Sequence, residues 1–247
     1  MPGVVIFLDD GGVLNDNAVR GAQWRRLAGE YMAAKLGGSQ EEWAKANAAY
    51  ATGLFTGRAW TDRLSAAVNY ADFQRTYFLD WVRGMCAITG IEPPPDEEAI
   101  RLGREAEAWI IPQLRSGYPG APEAIRMLHQ RGYTLHTSSG ASSEMMSTYL
   151  ETMDSRPYFT RLYGPDLVDT LKAGPLFYER IFADSGVAPA EALVLDDNPE
   201  VLGWASKVGA RTLLVGHGPA PQVRGCVGAI GSLAELPGII EEIGPPA

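Results

Sequence analysis

The chain has 247 residues, room for one large domain or two modest ones, and its 46% hydrophobic content is ordinary for a globular protein. A formal net charge of −9 at pH 7 excludes a general nucleic-acid binder, which needs a basic face to displace phosphate counterions. No run approaches the roughly 20 apolar residues of a membrane span, and Met1-Pro2-Gly3 lacks the basic start of a signal peptide, so a cytoplasmic protein is expected.

Val4-Val5-Ile6-Phe7-Leu8 is an uninterrupted apolar run that reads as a strand buried on both faces, and it ends in Asp9-Asp10-Gly11-Gly12. Carboxyl ends of parallel strands are where ligands bind in open α/β sheets, which marks Asp9 as a site residue. From about residue 17 to residue 111 the texture is helical, with no strand pattern. Ser39 followed by Glu41 and Glu42, and Pro93-Pro94-Pro95 followed by Asp96, are helix starts. Five of the six tryptophans (Trp24, Trp43, Trp60, Trp81, Trp109) fall in this block. They predict a helical core of its own in preference to a pocket wall.

From Pro112 the pattern alternates. A helix opens at Pro119-Gly120-Ala121-Pro122 and closes at Gly132. Strands follow at Tyr133 to Ser138, around Leu162-Tyr163, at Ala192 to Leu195 and at Thr212 to Val215, with a further one near Val227 to Ile230. Helices lie between them, one through Met145 to Leu150, one from Phe177 to Ala183 and one capped by Asn198-Pro199. Alternation of this kind implies a mostly parallel sheet flanked by helices, with the helical block inserted after the first strand. Residues 17–111 carry 11 basic and 12 acidic side chains, net −1, and the rest carries 10 and 18, net −8. An anionic substrate therefore needs a cation or a local basic group in the α/β part. Cys86 and Cys226 form no C-x-x-C pair, which argues against a disulfide framework or a zinc site.

Three strands end in polar clusters, Asp9-Asp10-Gly11-Gly12, Ser138-Ser139-Gly140 and Asp196-Asp197-Asn198, and a fourth segment supplies Lys172. Converging carboxylates repel one another and raise their pKa values unless a cation sits among them. Oxygen donors without nearby His or Cys suit Mg²⁺. Ser139, with the Gly140 and Ala141 amides at a strand-to-helix turn, reads as an anion nest.

These four segments, in this order, resemble the four motifs of the haloacid dehalogenase (HAD) superfamily, mostly Mg²⁺-dependent phosphohydrolases that work through an aspartyl-phosphate. The resemblance implies a Rossmann-like parallel sheet core with helices on both faces, residues 1–16 and 112–247, and an inserted all-helical cap of C1 type, residues 17–111. Asp9 matches the nucleophile, followed by the Gly12-Val13-Leu14 turn and Asp16. Ser139 matches the group that holds the phosphoryl, with Ser138 the alternative if the strand register is one off. Lys172 through Tyr178 resembles the Lys-Pro-x-Pro-x-x-Tyr pattern. Asp197, with Asp196 directly or through water, matches the metal-binding pair, so Asp9, the Gly11 carbonyl, Asp196 and Asp197 are the implied Mg²⁺ ligands. Gly11, Ser138, Ser139, Gly140 and Lys172 are the implied contacts to a small phosphorylated metabolite.

One position departs from the pattern. Most phosphatases of the superfamily carry a second Asp two residues after the nucleophile as general acid and base, and here that position is Gly11. General acid help of about 10² to 10⁴-fold is then absent unless another group supplies it. Asp10 is no ready substitute, because neighbouring strand side chains point to opposite faces. Three readings follow: a phosphatase without the second Asp, a hydrolase of carbon–halogen or phosphonate bonds, or a catalytically weak protein that uses the site for binding or regulation. Outside the motifs, His129 and His136 read as structural, His217 falls in a loop with little to support a metal role, and Arg58 and Arg63 beside Trp60 read as a solvated face or a contact to an anionic substrate.

Overall fold

The computed structural model describes residues 3–57, 59–216, 222 and 225–243, so Arg58 and His217 lie outside the described residues. After β1 (Val5–Leu8) come five helices, α1 (Asn17–Leu36), α2 (Gln40–Phe55), α3 (Ala59–Ala66), α4 (Tyr70–Thr89) and α5 (Asp96–Ile110). Then follow α6 (Ala121–Gln130), β2 (Thr134–Ser138), α7 (Ser143–Glu151), β3 (Arg161–Tyr163), α8 (Pro165–Val168) and α9 (Pro175–Ser185). The chain continues through β4 (Ala192–Asp196), α10 (Pro199–Lys207), β5 (Arg211–Val215), β6 (Cys226–Ile230) and α11 (Leu236–Ile243). It divides into two compact units, Met1–Asn17 with Arg115–Ala247, and Ala18–Leu114.

The first unit is built on a six-stranded sheet in the order β3-β2-β1-β4-β5-β6, with every pairing parallel. Val5 to Leu8 pair with Thr134 to Thr137 on one side and with Ala192 to Leu195 on the other. Central position explains the unbroken apolar run of β1: with neighbours on both edges and helices on both faces, no residue of it needs to meet water. The chain leaves β1 for β2 and β3 on one side and reappears at β4 on the other. The order therefore reverses beside β1, and a crevice opens at the carboxyl ends of β1 and β4.

One face of the sheet packs Phe7 and Val194 against Phe177, Tyr178, Ile181 and Phe182 of α9. His136 lies in this layer, its ring 5.0 Å from that of Phe7 and its Nδ1 without a hydrogen-bond partner. Burial lowers the His136 pKa, a bond to the Arg161 backbone opposes the shift, and the nearby Arg161 charge adds to it. A base depressed in the fold contributes stability above its unfolded pKa and loses it as pH falls. Thermal melts are therefore expected to show a smaller drop in Tm from about pH 7 to about pH 5 in His136→Phe than in the wild type. Equal drops would place the acid sensitivity elsewhere.

The regular structure among the described residues of the second unit is all helical. Ser39 and Glu42 form a capping box on α2, Asn69 caps α4, and Gly90 ends α4 in the left-handed conformation. Trp43 and Trp81 are core residues, their indole N–H groups donating to the Gly37 carbonyl at 2.7 Å and to Asn47 Oδ1 at 2.9 Å. Trp24 and Trp60 are half-buried among other rings. Trp109 departs from the expected core role: it is 40% exposed and lines a groove with Glu30, Tyr31, Lys35 and Gln40. Arg63 pairs with Asp80 at 2.6 Å. No helix among the described residues is long and apolar enough to cross a membrane.

Candidate active site

The sheet register sets the site. One residue past the paired strands, Asp9 continues the ladder by donating its N–H to the Leu195 carbonyl at 3.0 Å. Strand pairing carried one step on puts Asp9 level with Ser138 on β2 and Asp196 on β4. Because side chains alternate, these three share the α9 face of the sheet with Phe7, His136 and Val194.

Lys172 arrives from the loop before α9, whose first turn holds Pro175. Its Nζ donates to Asp9 Oδ1 at 2.8 Å and to Asp196 Oδ2 at 2.7 Å, and its side chain is only 9% exposed. Asp196 Oδ1 in turn accepts the Asn198 N–H at 2.9 Å, and Asn198 caps α10 through the Glu200 N–H at 2.9 Å. Asp197 is exposed beside this pair. Its approach to the first turn requires glycine at position 12: φ there is +81°, and a Cβ would lie 2.0 Å from Asp197 Oδ2.

Electrostatics follow from burial. Desolvation is the largest influence on Asp9 and outweighs Lys172; with Asp196 adding repulsion, the Asp9 carboxyl is pushed up to about 7. Burial also raises Asp196 against the pull of Lys172. For Lys172, burial works against the charge, but Asp196 and Asp9 overcome it and hold the amine well above its ordinary range. Three carboxylates converge here, and Lys172 bridges two of them. Oxygens of Asp9, Asp196 and Asp197 lie within 4.8 Å of one another. An all-oxygen set this compact, with the Gly12 backbone drawn against it, fits a small divalent cation.

The second motif brings both of its serines to the end of β2. Ser139, the first choice as phosphoryl ligand, turns its hydroxyl to accept the Ala141 N–H at 3.0 Å, so the expected nest is partly closed by the protein itself. Ser138 occupies the pleat position level with Asp9, and its hydroxyl is buried without a completed hydrogen bond. It approaches the Tyr178 hydroxyl, which is likewise buried and uncompleted, though the pair is close enough to interact. Burial, chiefly, raises the Tyr178 pKa, so the phenol keeps its proton beside Lys172, Asp9 and Asp196. Tyr178 was visible in the sequence only as the end of the Lys172 pattern; the packing of α9 brings it here. Gly140 is exposed, and a Cβ there would meet nothing within 4 Å. Gly11 pairs with Asn15 in an isolated bridge and contributes backbone alone. Asp10 faces away toward Asn15, which excludes it from the Asp9 row.

A family model described as haloacid dehalogenase-like hydrolase matches residues 5–209. Among solved structures, the HAD-hydrolase YfnB of Bacillus subtilis, bound to magnesium, is 14% identical, covers 96% of this chain and 98% of its own, and superposes with a TM-score of 0.71. The L-2-haloacid dehalogenase of Xanthobacter autotrophicus is 18% identical over 98% of this chain and 99% of that one, with a TM-score of 0.61. A Thermotoga maritima protein assigned as a β-phosphoglucomutase is 17% identical over 97% and 99%, with a TM-score of 0.62. No curated protein matches the chain. These identities speak for fold, while the family match spans the first acid, the serine turn, Lys172 and the acidic pair in one sweep. The chain belongs to the haloacid dehalogenase-like hydrolases.

Proposed function

We propose that the protein is a Mg²⁺-dependent phosphatase acting on a small phosphate monoester. The observation that carries this reading is the cluster of Asp9, Asp196 and Asp197, whose carboxylate oxygens lie within 4.8 Å of one another as a compact all-oxygen set. Displacement at carbon needs a nucleophilic carboxylate but no such set. Asp9, Asp196, Asp197 and the Gly11 carbonyl would hold the ion, which when bound supplies charge to offset the phosphate.

Lys172 holds Asp9 Oδ1 and so orients the other carboxylate oxygen as the attacking atom. A bond forms from that oxygen to phosphorus as the ester P–O bond breaks, and the leaving alkoxide takes a proton from water. A second water then cleaves the aspartyl-phosphate, releasing phosphate and restoring the Asp9 carboxylate. Lys172 stabilises the charge on the transferring group, and Ser138, Ser139 and the Gly140 amide line the end of β2 where its oxygens would sit. Without a carboxylate at Gly11, leaving groups that need little protonation are turned over best.

The second reading, carbon–halogen hydrolysis, is favoured by Gly11 and by the dehalogenases among the structural neighbours. One assay separates them. Phosphate release from an aryl phosphate and chloride release from 2-chloropropionate are followed with Mg²⁺ and with EDTA. Phosphate release that EDTA abolishes and Mg²⁺ restores is the expected result; chloride release indifferent to EDTA would replace the proposal.

A further inference from the structure

Asp10, the second acid of the β1 end, is buried at 4% exposure, and the chemistry above makes no use of it. Its Oδ1 accepts from Asn15 Nδ2 at 2.6 Å, and Asn15 Oδ1 accepts from the Ser116 hydroxyl at 2.8 Å. Asn15 and Ser116 are also buried, at 1% and 3% exposure. The backbone repeats the pattern. Asp10 offers its carbonyl to the N–H groups of Val13, Leu14 and Asn15 at 3.3, 2.8 and 2.9 Å, and the Gly12 N–H donates to the Asn15 carbonyl at 2.8 Å. Residues 116–118 close on the turn from outside, Asp16 N–H donating to the Ser116 carbonyl at 2.8 Å and Tyr118 N–H to the Leu14 carbonyl at 2.9 Å.

A buried polar chain is costly unless every member is satisfied, and satisfied ones rigidify what they hold. This one joins positions 101 residues apart and encloses the turn in which Gly12 meets Asp197. We infer that Asp10, Asn15 and Ser116 are positioning residues: together they hold the Gly11-Gly12 turn, and with it Asp9 and Asp197, in the reacting geometry. None of the three touches the substrate. The inference rests on Asp9 as the nucleophile.

Three full-length variants test it: Asn15→Leu and Asp10→Ala break the chain, and Asp10→Asn keeps an acceptor for Asn15. Steady-state kinetics on an aryl phosphate are paired with amide hydrogen exchange of Gly12 to Asn15 in the metal-free protein. Asn15→Leu and Asp10→Ala are expected to lose about 10- to 100-fold in kcat with KM within about twofold. Their turn amides exchange about tenfold faster or more, while Asp10→Asn keeps kcat within about threefold. If Asn15→Leu does not fold, Ser116→Ala removes a single bond and shows the same changes in smaller measure. Unchanged kcat and exchange in the folded variants overturns the inference. So does an Asp10→Asn as inactive as Asp9→Asn, which would make Asp10 itself reactive. A wild type inert toward the phosphate counts against the substrate reading alone, and the exchange rates then decide whether the network holds the turn.

Discussion

Asp9→Asn is expected to lower kcat on an aryl phosphate by about 10⁴-fold or more with Mg²⁺ supplied. The carboxamide matches the carboxylate in shape and can still accept from Lys172, but it cannot form the aspartyl-phosphate. The loss is separable from misfolding through its sign on stability. Asp9 sits near 7 in the fold against 3.8 as a free side chain, because burial outweighs Lys172 and Asp196 adds to it. A carboxyl raised in the fold contributes stability at low pH and loses it as pH rises through the folded value. The neutral Asn escapes that loss, so the metal-free variant is expected to melt at or above the wild-type Tm at about pH 8, with the two curves converging toward about pH 4. Rapid quench of the wild type with labelled substrate should trap an acid-stable, hydroxylamine-sensitive phosphoryl group that the variant lacks. A folded Asp9→Asn with more than about one-hundredth of wild-type kcat would remove Asp9 from the nucleophilic role.

Lys172→Met carries the second largest effect, and here activity and stability fall together. The amine bridges two buried carboxylates at 2.8 and 2.7 Å. Its removal strands both, a change that typically costs about 3–5 kcal/mol when the remaining charges stay ionised. They can escape by taking up protons. Burial and mutual repulsion, no longer opposed by Lys172, then raise both carboxyls further, and the stability they contribute is lost as pH rises. The deficit of Lys172→Met in urea melts is therefore expected to be small at about pH 5 and to widen toward about pH 8. In the proposed phosphoryl transfer, loss of this cation is expected to lower kcat by about 10² to 10³-fold. A deficit constant with pH, or kcat within about tenfold of wild type, would mean that Lys172 does not carry the charge of this site.

Much of the fold was legible because it is written in local pattern. The run from Val4 to Leu8 reads as a buried strand, Ser39 with Glu42 as a helix start, and the alternation after Pro112 as parallel pairing. The places where strands stop in acids, serines and glycines were equally visible, and it was the resemblance of these segments and Lys172 to the four superfamily motifs that named the candidate residues. Where the reading went astray, the deciding information lay outside any window of sequence. Trp109 shares its helical spacing with core residues, and only the packing around Tyr31 leaves it at a groove. Between Ser138 and Ser139, chemically alike and both carried from the sequence, only the register of two paired strands shows that Ser138 is the one level with Asp9, while Ser139 accepts the Ala141 amide.

The sequence by itself determined which segments end in reactive groups, since periodicity and capping act within a few residues of each other. Tertiary structure decided which of those ends meet. Asp9 and Lys172 stand 163 residues apart, and their contact exists because the sheet order reverses beside β1 and sets β4 and the loop before α9 against it. The same assembly supplies the low-dielectric surroundings that shift Asp9, Asp196, Lys172 and Tyr178, because a pKa responds to burial and neighbouring charge, neither of which a residue carries with it along the chain.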